Sequence, residues 1–345
     1  MMRPKHATLT NHIISLSDDF GNTNIAGMQL KDNVLINDTA YFVKLDDLRP
    51  DVNGVWENGF NNHYSSVSEA ITGTIAKHIK NPKNFDCVTY DFIKTDDGRT
   101  GTLSKNFLQP GEMEVALAYG NPTDRHFYEV GALTNIETFA EQIVDRPSKE
   151  RFNNLIKLFE NYGVTHEHAH DFLIQQAAFD IMVGNTDRLN NPSNFTTAHN
   201  INTGETRLIN MDYGRTLPLD WFDTMEEKYN MDWLDEDVPE NAQNFRHKDD
   251  SILSGLKRSD QIAFLKEEGF TGFDIDKDAL TKDLDTLKDL FEDTPFKNFA
   301  TVKIESTKHL INNLSDDFLV TQDQQIDESQ FLYGLFEVGF HKSRG

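Results

Sequence analysis

Cysteine is nearly absent: Cys87 is the only one in 345 residues. A single thiol excludes an intramolecular disulfide framework and a zinc site built from several cysteines. Long apolar runs are missing too. No stretch approaches the ~18 consecutive apolar residues that a membrane-crossing helix needs. The start, Met1-Met2-Arg3-Pro4-Lys5-His6, has no apolar run behind it to serve as a signal peptide. An intracellular, soluble, cytoplasmic protein with no membrane partner is the expectation. Positive charge is scarce: 33 Lys and Arg stand against 57 Asp and Glu, a formal charge of −24. The acidic residues are spread along the chain and serve solubility. Such a surface repels phosphates and argues against direct binding of DNA or RNA.

What is present is enough apolar material for a core. Hydrophobic residues make up 37% of the chain and Phe alone accounts for 25 positions, too many for a disordered protein. The length suits a two-lobed enzyme with one cleft. The first hundred or so residues read as β-rich. Val34, Ile36, Tyr41, Phe42 and Val43 surround the turn-like Asn37-Asp38, which predicts a hairpin over 34–45. Residues 87–93 and 100–108 flank Asp96-Asp97-Gly98, a second hairpin signal. Between the hairpins Val67, Ile71, Ile75 and Ile79 recur every four residues, which predicts one helix capped by Ser66 or Ser68. From about 134 onward the pattern is mainly helical. Helices are predicted around 152–159, over 172–183 up to Gly184, around 280–291 and around 304–314, with Asn135 and Thr165 as N-caps. The expected fold is α+β and two-lobed, like a protein kinase: a small β-rich N-lobe with one helix over 1–110, and a mainly helical C-lobe over 111–345.

Two carboxylates sit where apolar segments end. One is Asp187, in Gly184-Asn185-Thr186-Asp187-Arg188, just after an apolar helix. The other is Asp212, in Met211-Asp212-Tyr213-Gly214, where Gly214 is expected to allow a sharp turn. Phosphoryl transfer needs a carboxylate to orient or deprotonate the acceptor hydroxyl, and oxygen ligands for Mg²⁺, typically an Asp and an Asn amide. Asp187, Asn194 and Asp212 supply that set. They are expected on the turns of adjacent short hairpins.

These two segments resemble the catalytic and metal-binding loops of the HipA-like serine/threonine protein kinases, including the short CtkA-type members. Arg99 to Leu108 with Pro110-Gly111-Glu112 is similar to that family's strand leading into the inter-lobe hinge. The resemblance covers roughly residues 30 to 220. It implies ATP and Mg²⁺ as cofactors, a protein substrate carrying a Ser or Thr hydroxyl, self-phosphorylation in some members, and an antitoxin or regulatory protein as partner. It implies Asp187 and Asn194 as catalytic residues, Asp212 and Asn194 as metal ligands, and Phe107 at the nucleotide. It also implies a lysine on a central strand that holds the ATP phosphates and a glutamate on the N-lobe helix that fixes it. Lys44 and Glu69 fit by order and spacing, and an ion pair between them is expected. Residues 18–27, with glycines and small side chains before the strand, would cover the phosphates, although they match no Walker A pattern.

The family has His two residues after the catalytic Asp, where Leu189 stands here. It places its metal-binding Asn five residues after that Asp, where this chain has Pro192. Asn191 and Asn194 are the candidates, and Asn194 is preferred because Asn194-Phe195 resembles the family's Asn-Phe step. These departures favour a rival reading, a catalytically impaired kinase-like module that holds a protein partner.

Three other signals compete. His166-Glu167-His168-Ala169-His170 has the HExxH form of a zinc protease. It lacks a third ligand at a typical spacing, carries Asp171 where apolar packing is needed, and reads better as a polar helix start. Asp274-Ile275-Asp276-Lys277-Asp278 imitates the start of an EF-hand, but Ala279 replaces the required glycine, so a helix start is expected. Asp180, inside an apolar helix, either braces the catalytic loop through backbone N–H groups or faces water. Trp221, Trp233 and the acidic run 232–240 read as a solvated loop over an aromatic core, or as an acceptor site for basic partners.

Overall fold

The computed structural model describes residues 5–17, 20, 30–46, 65–80, 84–118, 131–134, 136–185, 188–189, 194–214, 216–217, 252–294 and 297–313. The fold is α+β and two-lobed. A curled seven-stranded sheet carries one helix, and a mainly helical lobe follows.

The first sheet has the order β1-β4-β5-β9-β8-β3-β2. Its strands are β1 (Lys5–His6), β2 (Thr8–Thr10), β3 (Ile13–Ser15), β4 (Leu30–Ile36), β5 (Thr39–Leu45), β8 (Asp91–Thr95) and β9 (Thr100–Lys105). Both hairpins expected from the sequence are present. Asn37 and Asp38 take positive φ, 49° and 62°, the geometry of a tight two-residue hairpin turn. Strand alternation then sorts the side chains. Val43 and Leu45 on β5, Leu103 on β9 and Ile93 on β8 enter a small core with Ile14, Val34 and Ile36. Lys44 and Thr102, between them in sequence, therefore face the other side.

Helix α1 (Ser65–Lys77) lies against that other side. Val67, Ile71 and Ile75 are buried as the four-residue spacing predicts. Ile79 is not part of the helix, however. It belongs to a two-residue strand, β6 (Ile79–Lys80), that pairs with β14 (Asp274–Ile275). Nor is Ser66 or Ser68 the cap. Both lie inside the first turn, and the acceptor there is Asp46, whose Oδ1 takes the Ser66 N–H at 3.3 Å. Gly73 permits the close approach of α1 to the 88–90 segment, since a Cβ at 73 would lie 2.6 Å from the Tyr90 nitrogen.

A second sheet, of order β11-β10-β12-β13-β7, joins β7 (Asp86–Cys87), β10 (Glu112–Ala116), β11 (Gly131–Ala132), β12 (Phe195–Asn200) and β13 (Thr206–Asn210). The helices are α2 (Ile136–Phe139), continuing as a π-turn through Val144, α3 (Ser148–Glu160), α4 (His166–Val183), α5 (Arg258–Glu267), α6 (Lys277–Leu290) and α7 (Lys297–Asn313). Thr165 caps α4 as expected, accepting the His168 N–H, and Gly184 ends it in the left-handed conformation. Asp276 caps α6 through the Ala279 N–H at 3.1 Å, so the acidic cluster at 274–278 is a helix start. The larger core joins the inner face of α1 to α3, α4, α6 and α7 through Phe85, Phe152, Phe172, Phe179, Phe273 and Phe291. Each such ring contributes ~1.5–3 kcal/mol by leaving water. Among the described residues no helix is long and apolar enough to cross a membrane.

Candidate functional site

Lys44 reaches across the sheet face to Glu69 on α1. Its Nζ forms an ion pair with Glu69 Oε1, the pair expected from the sequence, and Glu69 is fully buried. The second carboxylate oxygen of Glu69 accepts the Thr102 hydroxyl at 2.6 Å. Asp212 closes the cluster from the other lobe, with Oδ1 3.3 Å from Lys44 Nζ. Tyr90 supports both sides: Nζ stands 5.9 Å from the centre of its ring, and its hydroxyl accepts the Asp212 N–H at 3.1 Å. The Asp212 side chain is 29% exposed, against 8% for Lys44 and none for Glu69, so the cluster opens at Asp212.

The charges set one another. Burial would lower the Lys44 pKa, but Asp212 and Glu69 hold it well above the usual lysine value. Burial would raise Asp212, but Lys44 and Lys31 keep its carboxyl below the usual range, so it is ionised. Glu69 is raised by burial, against the pull of Lys44. Lys31 was not singled out from the sequence. It sits directly across from Lys44 in the β4–β5 ladder, and burial together with Lys44 pushes its pKa down to about 8. The signal lay in the hairpin itself, because a turn centred on Asn37-Asp38 pairs 31 with 44.

Asn194 and Asp212 lie at the same end of a single antiparallel hairpin, β12–β13, whose last pair is Phe195 with Asn210. The expectation of two adjacent hairpins is corrected: one hairpin carries both residues, on its entry and its exit. Gly214 lies in a tight turn as expected, closed by the Thr216 N–H on the Tyr213 carbonyl at 3.2 Å, but the left-handed backbone falls two residues earlier. Asp212 itself holds φ 62°, and the missing side chain at 214 lets that segment sit beside Ser65, where a Cβ would be 3.3 Å from the serine Cβ.

Arg188 holds these pieces together and is completely buried. Its Nη1 donates to the carbonyls of Asn194 (2.8 Å) and Met211 (2.9 Å), and its Nη2 to Asn210 Oδ1 (2.9 Å). Nε and Nη2 also meet both oxygens of Asp180, at 3.0 and 2.9 Å. Asp180 is thus a buried brace; among the described residues it takes the Arg188 guanidinium and the Asn185 amide (2.9 Å). Leu217 N–H returns to the Val183 carbonyl at 2.7 Å and ties the segment after Asp212 to the end of α4.

Asp187 and Asn191 lie outside the described residues, as do Asn135, Trp221, Trp233, the run 232–240 and all of 18–27 except Phe20. Phe107 is half-buried against the larger core, and its carbonyl accepts from Arg207 at 2.9 Å. The two histidines of the HExxH sequence each meet a carboxylate, His166 with Glu160 at 2.9 Å and His170 with Glu268 at 3.0 Å. Among the described residues no three His, Cys, Asp or Glu side chains gather as a metal cluster. An ionised Asp212 carboxylate and the Asn194 amide, carried on the exit and entry of one hairpin, are hard oxygen donors of the kind Mg²⁺ takes when phosphate supplies the rest.

No protein-family model matches this chain, and no curated protein does. Among solved structures, the Helicobacter pylori proinflammatory kinase CtkA aligns at 17% identity and a TM-score of 0.47, over 89% of this chain and 95% of that one. HipA from the HipA, HipB and operator DNA complex of the Shewanella oneidensis MR-1 toxin–antitoxin system aligns at 14% and 0.42, over 83% of this chain and 63% of that one. At these identities and scores the likeness assigns no residue a role, and the architecture stands on the elements described above.

Proposed function

We propose that this chain is an ATP- and Mg²⁺-dependent serine/threonine protein kinase of the HipA-like type. In this reading residues 1–110 form the N-lobe and 111–345 the C-lobe. It works in the cytoplasm on a protein acceptor, itself included, with an antitoxin or regulatory protein as a further partner. The observation that carries the reading is the buried ammonium of Lys44, held between Glu69 and Asp212 in a cluster that opens mainly at Asp212.

Lys44 binds the phosphates as a fixed point charge, and Glu69, itself held by Thr102, keeps the ammonium in place. Phe107 borders the nucleotide. Asp212 and Asn194 would hold the metal, which when bound neutralises charge on the phosphates. Asp187 orients or deprotonates the incoming hydroxyl. Arg188, by bonding the backbone on both sides of the β12–β13 hairpin, keeps Asn194 and Asp212 at a constant separation.

One observation favours the rival binding module: Leu189 is buried in the larger core and offers no donor or acceptor where the HipA-like family has His. The deciding experiment is nucleotide-dependent thermal shift followed by transfer of labelled phosphate to protein. Both readings expect stabilisation by Mg-ATP. Only the kinase labels protein, and a wild-type chain that binds Mg-ATP but labels nothing establishes the module instead.

A further inference from the structure

The helix that carries Glu69 is held from behind by the last described helices. Lys303 on α7 is buried, and its ammonium donates to Ser68 Oγ at 2.7 Å and to the Thr216 carbonyl at 3.4 Å. Ser68 immediately precedes Glu69, and Thr216 follows Asp212 by four residues. Lys303 therefore bridges a side chain on the helix that presents Glu69 and the backbone just past Asp212, the two carboxylates flanking Lys44. A second bond runs parallel to the bridge. The Thr216 hydroxyl donates to the Tyr213 carbonyl at 2.8 Å, which leaves it to accept from Thr72, one turn beyond Ser68, at 2.7 Å.

The rest of the contact supports the same placement. α1 packs along α6, and α6 packs on α7. His78, just past the end of α1, meets Asp283 on α6 at 2.9 Å. The β6–β14 pair ties down the chain leaving α1. Phe92 on β8 packs against Phe291 at the end of α6, with ring centres 4.1 Å apart and the ring planes tilted by 42°. At 303 an aliphatic side chain would fill the same space without desolvating a charge. Burial there pushes the ammonium down to about 7. Lysine's use at 303 is its donors, which reach two elements at once.

We propose that Lys303 is a positioning residue for the Lys44–Glu69–Asp212 site, fixing the first half of α1 against the backbone just past Asp212. The proposal rests on the kinase reading of that site, and Lys303 itself touches no nucleotide. Here α6 and α7, the last described helices, hold α1.

The test compares wild type with Lys303→Met, Ser68→Ala, the double variant, and Ile304→Val, which loosens the same helix without touching the bridge. ATP turnover is measured well below each variant's Tm, and amide hydrogen exchange is followed over 65–77. Lys303→Met is expected to lower kcat by about tenfold or more, since small misplacements at a reacting centre carry such factors, with a smaller rise in KM. Ser68→Ala should do the same to a lesser degree, and the double variant should be no worse than Lys303→Met alone. Exchange over 65–77 should speed up in all three, while Ile304→Val leaves kcat unchanged. Unchanged kcat in Lys303→Met, additive single effects, or an equal loss in Ile304→Val overturns the proposal. If Lys303→Met does not fold, Ser68→Ala decides by the same readouts. If wild type transfers no phosphate, the kinase reading fails on its own. Hydrogen exchange needs no substrate and still decides the bridge: unchanged protection of 65–77 in both single variants overturns it.

Discussion

Arg188 and Asp180 face each other with both side chains fully buried, guanidinium against carboxylate in a two-point contact of 3.0 and 2.9 Å. Burial opposes the guanidinium charge, and Asp180 more than restores it. A buried pair of this kind contributes little beyond an apolar pair, but losing one partner strands the other. Arg188→Met should therefore cost about 3–5 kcal/mol in denaturant unfolding, because Asp180 is left in the core without its guanidinium. The Asp180→Leu/Arg188→Met double variant should recover part of that loss. A single variant as stable as wild type would show that the pair does not hold this region.

Asp187 and Asp212 should fail differently. On the proposed kinase reading, Asp187→Asn keeps the shape but not the charge needed to orient the hydroxyl, so Mg-ATP binding should survive while single-turnover transfer falls by about 10²–10⁴-fold. Asp212→Ala should weaken Mg²⁺-dependent nucleotide binding as well as turnover. Asn194→Ala should give a milder form of that defect, and Asn191→Ala little change. Wild-type transfer by Asp187→Asn would remove Asp187 from the chemistry.

On the proposed kinase reading, Lys31 should make nucleotide binding depend on pH. Its pKa, about 8 in the free protein, leaves it charged at neutral pH and increasingly neutral above. Mg-ATP affinity should fall as pH rises from 7 to 9, and Lys31→Met should be weaker at pH 7 by roughly tenfold, ~1.4 kcal/mol. The variant's affinity should change less over that range. Titration calorimetry at three pH values reads this directly, and parallel curves for the two proteins would exclude Lys31.

Asp46 acts on stability. Burial raises its pKa from 3.8 to about 7, despite the donors from Ser66 and Thr100. The folded state therefore prefers the protonated acid. Its contribution is fully present below pH 3.8 and is lost as pH rises through about 7, a loss on the order of a few kcal/mol. Asp46→Asn, which keeps an acceptor for the Ser66 N–H, should be more stable than wild type at pH 8 and similar near pH 4. Denaturant midpoints at the two values check this. An unchanged difference between variant and wild type across the range would show that Asp46 does not titrate there.

Much of this fold was legible where the physics is local. Asn37-Asp38 and Asp96-Asp97-Gly98 announced hairpins because turn geometry depends on a few residues, and Val67, Ile71 and Ile75 announced α1 because a buried helix face has a fixed period. Ile79 fits the period and still leaves the helix, since its partner strand comes from residues 274–275. Asp46 caps α1 from 20 residues away, which no local capping rule detects. The pairing of Lys44 with Glu69 came from the family resemblance, which the two residues fit by order and spacing. Arg188 did not: an arginine beside an aspartate looks solvated until Asp180, Asn194, Asn210 and Met211 are brought around it.

The short ladder between β6 and β14 ties Ile79 to Ile275, and this has a consequence for biosynthesis. A ribosome releases residues 65–80 long before 274–275, so α1 leaves the tunnel without its strand partner, without Asp283 for His78, and without Lys303 for Ser68. The nascent first lobe must wait, with the apolar side of α1 uncovered, until the end of the described chain has been made. Distant pairings of this kind slow folding and leave surface open to misassembly. A stalled or prematurely terminated chain would then lack an assembled Lys44–Glu69 centre, which makes completion of synthesis itself a safeguard on when the site forms.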